Sequence, residues 1–208
     1  MTIPRAILAA FFFVVASAAH GSEPPMDPST TTVIAIVRHG EKPEAGLGMI
    51  NCAGLNRALA LGPRLALLVG PPHKVIAPNP SARKADKGVL YDYNRPLLTI
   101  APSAIAAGLP IDVSIAWSDH MALARALDDD ALAGKTIYVA WEHHLALQAV
   151  KDLFALEGAD AAALPSAWSD DDFDSVFVVR IFRGKKRTLA LSLEHEGLNG
   201  TLSQSCVR

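Results

Sequence analysis

Residues 32–40 read TVIAIVRHG. Six apolar or β-branched residues run without interruption, and within two positions the chain turns to arginine and histidine. A strand with one wet face alternates apolar and polar side chains. An unbroken run marks a strand covered on both faces, as parallel strands under helices are. Three more runs repeat the pattern: KVIAP at 74–78, DVSIAW at 112–117 and TIYVAW at 136–141. Between and after them, residues 53–70, 95–108, 119–134 and 144–158 carry helical spacing, and each segment ends on glycine. Pro63 and Pro102 are expected to bend or shorten their helices. This alternation predicts an α/β fold, a three-layer α/β/α sandwich with a mostly parallel central sheet. FDSVFVVRIF at 173–182 and RTLALSLEHE at 187–196, joined by RGKK, predict a C-terminal antiparallel hairpin at the sheet edge.

The chain has 208 residues, half of them apolar, which suits one domain with a substantial core. Its formal charge of −2 gives no electrostatic footprint for nucleic acid and no polybasic membrane patch. A small or neutral partner fits better. The N-terminus differs from the rest: after Arg5 come fourteen apolar or small residues ending in Ala16-Ser17-Ala18-Ala19. That is the form of a secretory signal, read as residues 1–19, and it is short of the about 20 apolar residues that span a bilayer. Residues 20–31 follow as a polar, proline-bearing flexible lead-in, and 32–208 form the domain. Periplasmic or secreted localisation follows, with no stable membrane insertion after cleavage. In an oxidising compartment the two cysteines, Cys52 and Cys206, are expected to pair. Nothing marks an oligomer interface.

Ligands of open parallel sheets bind beyond the carboxyl ends of the strands, over exposed helix N-termini. Arg38 and His39 follow the strand at 32–37, His143 follows the strand at 136–141, and Arg95 opens the helix at 95–108. Two arginines and two histidines around one pocket suit a dianionic phosphate, because guanidinium groups bind its oxygens bidentately and keep their charge. A cation at a helix N-terminus opposes the macrodipole, so Arg95 needs an anion nearby or is an accident of the surface. His144 beside His143 gives no metal pair on sequence grounds, since neighbours on a helix point about 100° apart, and no metal or other cofactor is expected. His20, His73, His120 and His195 read as surface or loop histidines. Trp117, Trp141 and Trp168 read as packing. Residues 78–94, with Arg83, Lys84 and Lys87, read as a solvated loop, or as a contact for the distal part of an anionic substrate.

Four segments in this order make the chain resemble the histidine phosphatase superfamily, of phosphoglycerate-mutase-like fold, and its exported bacterial phosphatase-type members. VRHGEK resembles the opening motif, LNRALALG the first helix, RPLLT the second arginine segment and VAWEHH the second histidine segment. The likeness spans about residues 32–195. Two positions depart from the family pattern: Leu98 stands in a common glutamine place, and Glu142 in the place of a small residue. The resemblance implies metal-independent hydrolysis of a small phosphomonoester through phosphorylated His39. Arg38, Arg95 and His143 would neutralise the equatorial oxygens. For the general acid it implies Asp119, ahead of Glu142, with Glu41 also adjacent; Asp119 reads equally as the N-cap of its helix. Two other functions stay open, a phosphotransferase or mutase, and a non-catalytic phosphate-ligand binding protein on the same fold.

Overall fold

The computed structural model describes residues 30–162 and 164–206. The expected signal segment, and the expected lead-in as far as residue 29, lie outside them. Thr31 already belongs to the first strand and is buried, so the strand begins one residue before the apolar run.

Six strands form the main sheet: β1 (Thr31–Arg38), β2 (Lys74–Ile76), β5 (Ile111–Asp112), β6 (Thr136–Trp141), β7 (Ser175–Arg183) and β8 (Arg187–His195). Their order is β5-β2-β6-β1-β7-β8. β1, β6, β2 and β5 are mutually parallel, whereas β7 runs antiparallel to β1, and β8 antiparallel to β7. The expected hairpin is therefore present, with β8 at the edge. Because side chains alternate along a strand, β1 feeds two cores. Ile34 and Ile36 pack with Val139, Trp141, Val179 and Ile181 beneath α3 (His120–Leu127) and α4 (His143–Leu156). Ala35 and Val37 pack with Val75, Tyr138, Ala140 and Val178 beneath α1 (Cys52–Val69) and α2 (Arg95–Ala107). The unbroken apolar run of β1 is thus explained by burial on both faces, the middle layer of an α/β/α sandwich.

Four details differ from the sequence expectation. β5 pairs over two residues only, because the Asp112 carboxylate turns back to accept from the Ser114 N–H and O–H. The helix expected at 119–134 stops at Leu127, where consecutive aspartates favour local side-chain bonds over helix. Asp129 accepts from Ala131 N–H and starts a separate 3-10 turn. α1 and α2 run through Pro63 and Pro102 and are not cut short. The loop at 78–94 contains a small hairpin, β3 (Lys84–Asp86) with β4 (Val89–Tyr91).

Cys52 and Cys206 form a disulfide across 154 residues, with Cα atoms 4.6 Å apart. The tail is also held by Asn56, whose Nδ2 donates to the carbonyls of Ser203 (2.8 Å) and Ser205 (2.9 Å). On a chain-entropy basis closing a loop of this size contributes up to about 5 kcal/mol.

Candidate active site

At the carboxyl ends of β1 and β6 a cavity of about 430 Å³ is lined by Arg38, His39, Arg95, Glu142 and His143, among others. Five distant stretches of chain reach this rim for separate topological reasons, the fifth being the β3–β4 hairpin with Lys84 and Asp86. Arg38 ends β1, paired with Trp141 at the end of β6. Glu142 and His143 begin α4, and Arg95 begins α2. The fourth stretch, Asp170 to Phe173, precedes β7. Since β7 is antiparallel to β1, with Val176 opposite Val37, its start lies at the same end as the finish of β1.

His39 is held by its immediate surroundings. Its backbone N–H donates to the Trp141 carbonyl (3.1 Å), and its Nδ1 lies 2.8 Å from the Gly40 carbonyl. A carbonyl only accepts, so Nδ1 carries the hydrogen and Nε2 carries a lone pair. Burial lowers the imidazole pKa to about 3; the neighbouring Arg38, Arg95 and His143 add to this, against a smaller raising effect of the Gly40 carbonyl. The ring is neutral at pH 7. Tyr93 and Phe173 meet it edge-on, with centroids 6.1 and 6.5 Å away.

The residues after His39 explain the rest of the opening motif. A Cβ on Gly40 would stand 2.9 Å from the Cα of Gly54, so glycine lets the strand end press against the first turn of α1. The Gly40 N–H donates to Thr99 Oγ1 (2.8 Å), which donates to the Arg95 carbonyl (2.8 Å). Thr99, the last residue of RPLLT, thereby ties the second arginine segment to the first.

Both pocket arginines keep an unpaired donor. Arg38 Nη1 donates to the carbonyls of Ser169 (3.4 Å), Asp170 and Asp172 (3.3 Å), and its guanidinium lies 3.8 Å over the Phe173 ring. Arg95 pairs with Asp86. Asp86 is the anion that a helix-start arginine requires, supplied by the β3–β4 hairpin. Among the described residues the Nε atoms of Arg38 and Arg95 and the hydroxyl of Tyr93 are buried without a hydrogen-bond partner. Buried polar hydrogens without acceptors are costly, so such a set is expected where a ligand supplies the acceptors.

The carboxylates expected as candidate acids occupy different places. Asp119 is exposed and does not line the cavity; its Oδ1 accepts from the Ala122 N–H (2.9 Å) and caps α3. Its N-cap reading is the one the geometry takes up. Glu41 lies behind the strand end, bound to Arg57 at 2.7 Å. Glu142 lines the cavity. Its Oε2 caps α4 by accepting from the Leu145 N–H (2.9 Å), and its Oε1 lies 3.6 Å from Lys84 Nζ and 3.3 Å from His143 Nδ1. Burial pushes the Glu142 carboxyl up, but these contacts outweigh it and hold the pKa at about 2.

Several lining residues were missed by sequence reasoning. Lys42, Asp86, Asp170 and Phe173 are not singled out by the sequence; Lys84, whose loop reads as solvated or as a contact for the distal part of an anionic substrate, lies 4.2 Å over the Trp117 ring and joins them in the wall. Only the cluster SDDDF at 169–173, standing just before a strand antiparallel to β1, could have signalled Asp170 and Phe173. The rings of His143 and His144, expected to diverge, lie with centroids 3.9 Å apart and 36° between planes. Side-chain torsions bring together what the helical angle separates. Among the described residues Glu142, His143 and His144 offer donor atoms within 4.8 Å of one another, a spacing a metal ion could use.

The sheet order and the antiparallel edge hairpin are those of the phosphoglycerate-mutase-like fold. Two solved structures share it: a mycobacterial glucosyl-3-phosphoglycerate phosphatase in complex with inorganic phosphate, and a protein described as mycobacterial hydrolase 2. The first aligns with a TM-score of 0.51 at 13% identity, over 77% of this chain and 95% of its own. The second aligns with a TM-score of 0.50 at 12% identity, over 78% and 90%. No protein-family model matches the chain, and no curated protein matches it in sequence.

Proposed function

We propose that the protein is an exported phosphatase, a metal-independent phosphomonoester hydrolase that works through phosphorylated His39. The observation that carries this reading is one cavity holding a neutral imidazole beside two buried arginines whose Nε–H groups have no acceptor. His39 Nε2 attacks phosphorus in line, and as the phosphorus–nitrogen bond forms, the ester phosphorus–oxygen bond breaks and the aryloxide or alkoxide departs. Arg38, Arg95 and His143 hold the equatorial oxygens and supply the positive charge that a metal ion provides in other phosphoryl-transfer sites. Water then cleaves the phosphorus–nitrogen bond and releases phosphate. Glu142, the one cavity-lining residue among the three expected acids, accepts a proton from that water. Its oxygens already accept from Leu145 N–H and face Lys84, which suits a base better than an acid. Leaving groups that depart without a strong proton donor are therefore favoured, aryl over alkyl phosphates. Export rests on the signal-like N-terminus and agrees with the disulfide.

The test is turnover of a chromogenic aryl phosphate with EDTA present. The wild type is expected to hydrolyse it, and His39→Ala to lose on the order of 10⁴-fold or more in kcat. Tight binding of inorganic phosphate with no turnover would identify a non-catalytic binding protein instead. Activity that survives His39→Ala would remove His39 from the mechanism.

A further inference from the structure

His143 stands between two carboxylates. Glu142 Oε1 lies 3.3 Å from its Nδ1, and Asp170 Oδ1 lies 2.7 Å from its Nε2. Among the described residues the buried Nδ1 atom finds no hydrogen bond of proper geometry, and His143 is only 5% exposed. A neutral imidazole has one N–H and can serve one of these carboxylates; the other then faces a lone pair. Either a second proton on the ring or a cation at Nε2 resolves the conflict. The same Asp170 oxygen lies 3.1 Å from Nε2 of His144, so two imidazole nitrogens and one carboxylate oxygen converge from two elements. His144 has no part in the phosphate cavity, and no function described above uses it.

We propose that His143, His144 and Asp170 form a binding site for Zn²⁺ that shuts the phosphate pocket. Two histidines and a carboxylate, with water as fourth ligand, are a donor set that zinc accepts, at bond lengths of about 2.0–2.2 Å. Tetrahedral donors at that length stand about 3.3 Å apart. The 2.7 and 3.1 Å separations here open to that value by a few tenths of an ångström. Asp170 can move that far, since its side chain is 77% exposed on the segment before β7. Glu142, facing the far nitrogen of His143, completes a carboxylate–histidine–metal arrangement that fixes which nitrogen binds. Nitrogen donors disfavour Mg²⁺ and Ca²⁺, which take oxygen ligands. The bound ion occupies the His143 nitrogen that would otherwise contact a phosphoryl oxygen, and it ties the Asp170 segment to α4 across the cavity mouth. Zn²⁺ is then an inhibitor. The binding half of this proposal is independent of the phosphatase reading; the inhibition half rests on it.

Untagged, chelator-stripped full chain is titrated with Zn²⁺ by calorimetry and by competition with a chromophoric chelator. One equivalent is expected to bind with a roughly micromolar Kd. His144→Ala should weaken binding at least about tenfold, and Asp170→Asn likewise. Equal affinity in wild type and His144→Ala, or no binding at 1:1 stoichiometry, overturns the site. In parallel, Zn²⁺ should inhibit aryl phosphate turnover reversibly with EDTA, and His144→Ala should raise the inhibition constant at least about tenfold while its zinc-free kcat/KM stays within about twofold. Zinc bound at this site without inhibition overturns the closure. An inactive wild type that binds zinc as described would refute the hydrolase reading and leave the metal site standing.

Discussion

Three buried arginines meet at the end of β1, and they are treated in opposite ways. Arg57, 1% exposed, has every nitrogen engaged: Nε with both oxygens of Glu41, Nη1 with Glu196 (2.5 Å), and Nη2 with Glu41 (2.7 Å) and Asn199 (2.8 Å). Arg38 and Arg95, 5% and 4% exposed, each leave Nε without an acceptor. A buried cation whose donors are all matched by carboxylates fixes structure. One whose donors are only partly matched holds affinity in reserve for an anion. The Arg57 network sits behind the His39 backbone and locks the strand end to α1 and to the segment after β8, while the other two face the cavity.

That contrast makes its strongest claim on stability. Arg57→Met leaves Glu196 and Glu41 without their partner, and should cost about 3–5 kcal/mol, with kcat/KM of the folded fraction within about threefold of wild type. Chemical denaturation together with activity below the melting transition checks both halves. A variant as stable as wild type would break the contrast from its structural side.

Arg38→Ala and Arg95→Ala should do the reverse. Each is expected to lower kcat/KM about 10²–10³-fold, equivalent to about 2.7–4 kcal/mol of transition-state stabilisation. Arg38→Ala should change stability by no more than about 1 kcal/mol, since its hydrogen bonds go to backbone carbonyls, whereas Arg95→Ala leaves the buried Asp86 carboxylate without its arginine and should cost more. Steady-state kinetics and melting curves on the same preparations would show it.

The smallest effect concerns pH. Gly40, Arg38, Arg95, His143, Tyr93 and Phe173 surround His39, whose folded pKa is about 3 against an ordinary value of 6.5. The unfolded chain takes up a proton below 6.5 that the folded one refuses until about 3. This group therefore contributes falling stability as pH drops through that window, and none above it. Turnover follows the folded value: kcat/KM for an aryl phosphate, corrected for substrate ionisation, should change less than about threefold between pH 7 and 5. A limb near 6.5 would show that His39 titrates like a solvated histidine, and would contradict its desolvation.

Much of the fold was legible because its signals are local. The apolar run before Arg38 and the apolar stretches at 74–78 and 136–141 stated burial on both faces, and the hairpin at 173–196 stated its own pairing. The ends of elements were less legible. Asp112 and the run Asp128–Asp130 stop their elements with side-chain bonds that an apolar pattern does not register. In the site, Arg38, His39, Arg95 and His143 could be named since each directly adjoins a strand or opens a helix. Asp86 and Asp170 could not, and Lys84 only as one of two readings of its loop, because their places depend on a small hairpin folding back and on an antiparallel strand returning to the rim. Asp119 and Glu142 show the limit most clearly. Each is an acid at a helix start, and only the three-dimensional arrangement puts one outside the cavity and the other inside it.

The account turns on His39 receiving the phosphoryl group. Brief reaction with a ³²P-labelled aryl phosphate, quenched in alkali, should give protein-bound label that is stable to base, labile to acid, mapped by peptide mass spectrometry to His39, and missing from His39→Ala. Label on any other residue, or full turnover with no labelled protein on the millisecond scale, would contradict it.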